Sequence, residues 1–180
     1  FLIVDREKKI VFVSRDRIGI KPLYVWENEK HIIFASEIKQ FFSLPDFRKK
    51  ANSETLLLYL STGYENIPKT FFRDVEVFPP GSYAEIEADA PALSARKFWN
   101  IPAADQSMRD EVRIVHKIKE SFLAAMERHM RSDVPVGLCL SGGLDSSSIL
   151  AAMSRRNRSN QIFAFSACFD DFEYDERPYM

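Results

Sequence analysis

Residues 135–148 read Pro-Val-Gly-Leu-Cys-Leu-Ser-Gly-Gly-Leu-Asp-Ser-Ser-Ser. The apolar run Val136 to Leu140 has the length of a buried strand. It stops at Ser141-Gly142-Gly143, and a helical pattern follows with Leu144, Ile149, Leu150, Ala151, Ala152 and Met153. A small Gly-rich turn between a strand and a helix builds an anion site. The glycines let the backbone come close to a ligand, and the unpaired N–H groups of the first helical turn point at it. Ser141, Ser146, Ser147 and Ser148 add hydroxyl donors. Asp145 stands among them, and a carboxylate beside a phosphate calls for a cation between the two negative charges, a role that suits Mg²⁺. No lysine follows the glycines, so this is not the Walker P-loop.

Other reactive side chains give less. His31, His116 and His129 have no acid or thiol at catalytic spacing and read as surface or packing residues. Cys139 and Cys168 fall in expected buried strands, without Cys-x-x-Cys spacing. They read as reduced, packed thiols of a cytoplasmic protein. The 180 residues are 46% hydrophobic and 28% charged, an ordinary globular composition. A net charge of −1 gives no reason to propose nucleic acid or an acidic membrane as partner. No apolar run approaches the roughly 18–20 residues of a membrane span. The start at Phe1 lacks a basic n-region and a cleavage site, so it is not a signal peptide. Phe1–Val4 reads as the middle of a strand, and the far end stops where a helix should begin. The expectation is an internal piece of a longer protein.

The elements that must hold the loop follow from periodicity. Phe1–Val4, Ile10–Val13, Leu23–Trp26 and Ile32–Ala35 are strand candidates at hairpin distances. Residues 36–42 predict a short helix with Ser36 as N-cap, and residues 53–60 a second one, capped by Asn52 or Ser53 and stopped at Gly63. Strands at Val75–Phe78 and Ser82–Glu87 flank the Pro79-Pro80-Gly81 turn, with Ala84, Ile86 and Ala88 on the inner face. Ala95–Trp99 is a last strand of this part. Residues 101–107 make the best linker.

Beyond the linker, Val112, Val115, Ile118, Phe122, Met126 and Met130 recur at helical spacing. Asp110 and Glu111 open that helix, and Arg128, His129 and Arg131 close it. The methionines read as core filler. A strand, the Ser141 loop, a helix and a strand over Ile162–Phe169 then imply a parallel βαβ unit, with ligands off the strand ends.

The segment Ser141-Gly142-Gly143-Leu144-Asp145-Ser146 resembles the pyrophosphate loop of the ATP pyrophosphatases. Three upstream stretches narrow the resemblance. They are Arg15 to Tyr24 (RDRIGIKPLY), Phe34 to Lys39 (FASEIK) and Phe78 to Tyr83 (FPPGSY). Together with Val134-Pro135-Val136-Gly137 they resemble the glutamine-dependent asparagine synthetases, in that family's order and over nearly the whole chain.

The resemblance implies an α+β part over residues 1–103, the second half of an N-terminal-nucleophile glutaminase with two stacked antiparallel sheets between helices. An α/β part over residues 104–180 would open an ATP pyrophosphatase-like synthetase domain. Implied too are ATP and Mg²⁺, glutamine as ammonia donor, aspartate as acceptor and a β-aspartyl-AMP intermediate, with room for a homodimer of the full-length protein. By the same resemblance, Ser141, Gly142, Gly143, Asp145 and Ser146 match the pyrophosphate loop, Asp145 the Mg²⁺-associated acid, and Leu140 and Ala167 the walls of the adenosine pocket. The family's nucleophile is an amino-terminal Cys. Residue 1 is Phe and neither cysteine matches, so no catalytic residue is assigned.

Arg15, Asp16 and Gly19 match a motif of the glutaminase half and read as structural. Asp175-Glu176-Arg177 reads as a solvated helix start, with approach to substrate as the alternative. Two further readings stay open: an amide-forming synthetase of the same fold with another acyl acceptor (β-lactam or peptide-modifying), and a non-catalytic homologue.

Overall fold

Alternating apolar residues and turn-forming breaks divide the first hundred residues into short strands. In the computed structural model, residues 1–65, 67–104, 109–156, 162–170, 175 and 177–179 are described. The chain forms two compact units, Phe1–Ala103 and Ala104–Met180. Among the described residues no helix is long and apolar enough to cross a membrane.

The first unit is α+β. Its strands are β1 (Leu2–Asp5), β2 (Ile10–Ser14), β3 (Tyr24–Glu27), β4 (Ile32–Ala35), β5 (Val75–Val77), β6 (Ser82–Glu87) and β7 (Arg96–Lys97). Two antiparallel sheets result, ordered β1-β2-β6-β7 and β4-β3-β5. One core holds Val13, Ala84 and Ile86 from the first sheet with Leu23, Phe78 and the partly buried Ile32 and Phe34 beside the second. The two sheets are thus stacked through this core. A second core holds Trp26, Phe41, Phe47 and Val75, with Ile33 and Ala35 packed against it. The period-2 alternation of β4 sends Ile32 and Phe34 to one core and Ile33 and Ala35 to the other.

A 3₁₀ helix, Ile38–Ser43, contributes Phe41 to the second core. The expected short helix forms, but its expected cap, Ser36, is corrected. The Gln40 side-chain oxygen accepts from the N–H groups of both Ser36 and Glu37, which turns the chain one residue later, with Glu37 as cap. Helix α1 (Ser53–Thr62) is capped by Asn52, whose side chain accepts from the Thr55 N–H, and ends at Gly63. The expected strand Ala95–Trp99 contracts to β7, because the N–H groups of Phe98 and Trp99 both turn to the Gly81 carbonyl. Ala88 lies past the end of β6 and is exposed.

The second unit contains α2 (Glu111–His129), β8 (Gly137–Cys139), α3 (Leu144–Arg156) and β9 (Phe163–Phe165). Asp110 caps α2 through the Arg113 N–H, and Arg128 and His129 lie in its last turn. β8 and β9 are parallel, with Leu138 opposite Ala164, so β8-α3-β9 is a βαβ unit.

Three expectations fail here for one reason. The apolar stripe of α2 is not a buried face, since none of its residues is buried. Cys139 and Cys168 are free but exposed. The strand foreseen over Ile162–Phe169 shortens to three residues. Two strands and two helices supply too little cover to close a core: its buried hydrophobic residues among those described are Ala152 and Met153. Of the linker foreseen over residues 101–107, residues 105–107 lie outside the described residues, as does Glu176.

Candidate functional site

The loop at the carboxyl end of β8 is tied on both sides. The Leu140 N–H donates to the Phe165 carbonyl at 2.8 Å, and the Ser166 hydroxyl donates to the Leu140 carbonyl at 2.8 Å. Leu140 is therefore fixed to the chain leaving β9. Ala167, the other residue assigned to the adenosine wall, is exposed and sits next to that tie.

Inside the loop, Ser146 is the organiser. Its hydroxyl lies 3.3 Å from the Ser141 hydroxyl, accepts from the Ser141 N–H at 3.3 Å and donates to the Gly143 carbonyl at 3.2 Å. The Ser147 N–H closes the first helical turn on the Gly143 carbonyl at 3.1 Å. The N–H groups of Gly143, Leu144, Asp145 and Ser146 make no hydrogen bond to another described residue. Donors of this kind, at the positive end of the thirteen-residue helix α3, suit an oxyanion of a phosphate. Asp145 lies in that first turn and its side chain is exposed.

Among the described residues no group of three or more His, Cys, Asp or Glu could hold a metal ion by itself. A single carboxylate such as Asp145 would hold Mg²⁺ only if phosphate and water supplied the other ligands.

Gly142 has φ +75°, and a Cβ built there would stand 2.9 Å from the Tyr179 Cβ and 3.1 Å from the Tyr179 carbonyl oxygen. The glycine thus serves a close approach within the protein as well as the left-handed backbone. Tyr179 belongs to a 3₁₀ turn, Arg177–Tyr179. The Arg177 guanidinium anchors that turn. It donates to Asp175, to Asp170 Oδ1 at 3.0 Å and to the Phe169 carbonyl at 2.8 Å. The hydrogen bond from Arg177 holds the Asp175 carboxyl below its ordinary range, against the opposing effect of desolvation. The bonds to Asp175 and Asp170 raise Arg177 further.

Sequence reasoning missed this contact. Spacing along the chain carries no sign that Arg177 returns to Asp170 and Phe169. Of the residues read as a solvated helix start, Arg177 opens a 3₁₀ turn whose Tyr179 packs on the loop, and Asp175 precedes that turn.

In the first unit, Arg15 and Asp16 clamp a turn. Arg15 donates to the carbonyls of Lys21 at 3.0 Å, Gly19 at 2.9 Å and Phe78 at 2.7 Å. The Asp16 carboxylate accepts from the N–H groups of Ile20 at 2.8 Å and Lys21 at 3.0 Å. The Asp16 carbonyl also accepts from the Gly81 N–H at 2.9 Å. That bond ties the Pro-Pro-Gly turn to the clamp, and on its other side a Cβ on Gly81 would meet the Trp99 carbonyl oxygen at 2.9 Å. Burial tends to raise the Asp16 pKa, but the N–H groups of Lys21, Ile20, Gly19 and Ile18 together bring it below the ordinary value.

Residues 1–99 match the family described as glutamine amidotransferase domain, and residues 117–180 match asparagine synthase. Among curated proteins, the chain is 31% identical over 182 residues to "Putative asparagine synthetase (glutamine-hydrolyzing) 2" of Methanocaldococcus jannaschii, covering 100% of this chain and 35% of that protein. It is 33% identical over 155 residues to asparagine synthetase (glutamine-hydrolyzing) 2 of Bacillus subtilis, covering 81% and 21%. It is also 28% identical over 190 residues to amidase chyE of Penicillium rubens, covering 98% and 27%. The chain therefore spans about a third or less of the length of these relatives. With a glutamine amidotransferase match over more than half of its residues and an asparagine synthase match directly after it, the chain belongs to the glutamine-hydrolysing asparagine synthetase family.

Proposed function

We propose that the protein carrying this chain makes asparagine from aspartate in the cytoplasm, with ATP as activator and glutamine as nitrogen source. The observation that carries the reading is the Ser141–Ser146 loop. Its helix-start N–H groups are unpaired among the described residues, and it follows a glutamine amidotransferase match.

A carboxylate is a poor electrophile. In the proposed reaction the aspartate side-chain oxygen attacks the α-phosphorus of ATP, and pyrophosphate leaves with the electron pair of the bridging oxygen. Ammonia, released when glutamine is hydrolysed to glutamate, then attacks the β-carbonyl carbon. It loses a proton, and AMP departs.

The chain's own residues bind and orient. The N–H groups from Gly143 to Ser146 and the hydroxyls of Ser141 and Ser146 would hold the departing pyrophosphate, where charge develops. Leu140 and Ala167 would flank the adenosine. Asp145 would hold Mg²⁺, which supplies charge neutralisation at the phosphates when bound. Residues 1–103 would be part of the glutaminase and 104–180 the opening of the synthetase domain.

Asp145→Ala in the full-length protein tests the assignment. Aspartate-dependent pyrophosphate release should fall by at least about a hundredfold, the loss typical of a transition-state charge partner. Glutamate release from glutamine should continue. Unchanged pyrophosphate release would remove Asp145 from the site.

The similarity to amidase chyE favours keeping one second reading, the same loop chemistry with another carboxylate as acceptor. Pyrophosphate release stimulated by another carboxylic acid and not by aspartate would select it.

A further inference from the structure

We propose that Arg177 is a positioning residue for the nucleotide loop. By joining Phe169 and Asp170 to the Arg177–Tyr179 turn, it seats Tyr179 against Gly142 and so holds the Ser141–Ser146 loop in its binding shape. This rests on the reading of that loop as the pyrophosphate site.

Three observations carry it. The backbone of Tyr179 approaches Gly142 so closely that no Cβ fits between them. The turn holding Tyr179 is only three residues long, too short to keep its place through its own hydrogen bonds. The guanidinium meets three acceptors on two sides of that turn: Asp175 just before it, and Asp170 and the Phe169 carbonyl on the chain leaving β9. That same chain holds Leu140 through Ser166, so both edges of the loop refer to one support.

A planar fork with several fixed donors meets three acceptors at once, and an ammonium does so poorly. Among the described residues these three acceptors hydrogen-bond the guanidinium, and its side chain stays 44% exposed.

The test uses the full-length enzyme with Arg177→Ala, Arg177→Lys, Asp170→Asn and the double variant Arg177→Ala/Asp170→Asn. The first readout is hydrogen exchange of the two bonded loop amides, Ser141 and Ser147, in the absence of nucleotide. Exchange there should rise about tenfold in Arg177→Ala, while amides of Ala151–Met153 in α3 stay within about twofold, which also shows that the helix remains folded.

The second readout is the split of KM for ATP against kcat. KM should rise about tenfold in Arg177→Ala with kcat changed by less than about threefold, less in Arg177→Lys, and the double variant should lose no more than Arg177→Ala alone. Unchanged loop exchange in Arg177→Ala overturns the proposal. So does a large loss in Arg177→Ala with none in Asp170→Asn, since Arg177 would then touch phosphate itself. If the unmodified enzyme shows no ATP-dependent turnover, the nucleotide reading fails, and the exchange measurement still decides whether Arg177 holds the loop.

Discussion

A methyl group at Gly142 would meet the Tyr179 Cβ at 2.9 Å in a backbone at φ +75°, whereas one at Gly143 would find nothing nearer than the Ser141 hydroxyl at 3.5 Å. The two adjacent glycines read alike in the sequence and differ in what they must avoid. Gly142→Ala should cost about 1–2 kcal/mol from the left-handed backbone alone. The displaced Tyr179 turn adds to that. Gly143→Ala should stay within about 0.5 kcal/mol in a denaturant titration of the full-length protein. A Gly142→Ala cost no greater than that backbone cost would show that the Tyr179 contact does not form. Arg15 and Asp16 give the second case. Their motif was legible as structural, because Gly19 and Pro22 mark a turn. The three carbonyls that Arg15 serves were not, since Phe78 is distant in sequence. Arg15→Ala should destabilise by about 1–3 kcal/mol by leaving those acceptors unmet. Asp16 has a folded pKa below its unfolded one, so the stability it contributes is present above the unfolded value of about 3.9 and is lost as pH falls through the folded value. Asp16→Asn should therefore be less stable than the unmodified protein at neutral pH. The gap should close in equilibrium unfolding as pH falls below about 4. A gap that persists at low pH would mean that the carboxylate charge is not what the four N–H groups recognise.

Strand positions were readable because β4 is a short run of branched and aromatic residues, β6 alternates apolar with acidic ones and Pro79-Pro80-Gly81 breaks the chain before it, and both sheets form where those signals lie. Element ends were less readable. Ser36 has the chemistry of a cap, yet Gln40 decides where the 3₁₀ helix starts, and such a competition is settled by geometry rather than by residue type. Helix α2 shows the opposite failure. Its start at Asp110 and its basic last turn followed from the sequence, but the apolar stripe that identified it stays uncovered. Periodicity reports which face a helix can bury, and only the neighbours determine whether it does. Phe78 tests the stacked sheets. It is 0% exposed, packs edge-on to Phe34 at 6.0 Å and joins Val13 and Ile86 in one core. Phe78→Ala should cost about 3–5 kcal/mol, and Phe78→Leu much less, as cavity formation requires. Phe122→Ala on the exposed stripe of α2 should change stability by no more than about 0.5 kcal/mol in the same titration. A large loss at Phe122 would mean that its stripe is covered in solution.

At the level of the whole chain, the two units differ in what holds them together. The first has two sheets and two aromatic-rich cores, and the second has one short parallel pair and two helices, with Ala152 and Met153 as its buried hydrophobic residues among those described. The candidate loop was legible because its chemistry is local: six contiguous residues, Ser141 to Ser146, carry it. Which apolar faces of the second unit stay uncovered was not, because burial depends on how many elements share a core, and strand and helix signals do not count them. Cooperative unfolding requires a core that all elements share. In the 180-residue chain by itself, the first unit should therefore protect its central amides, with β2 and β6 slowest. The second should exchange near the rate of an open chain and melt without a sharp transition. Exposed Val112, Val115 and Ile118 on α2 with Phe163 and Phe165 on β9 should make the chain associate as its concentration rises. Hydrogen exchange resolved to peptides, beside sedimentation at two concentrations, separates these outcomes. A monomer with one sharp melt and equal protection in both units would show that the second unit finds a cooperative core, and the exposed stripe of α2 would be the first place to look for its cover.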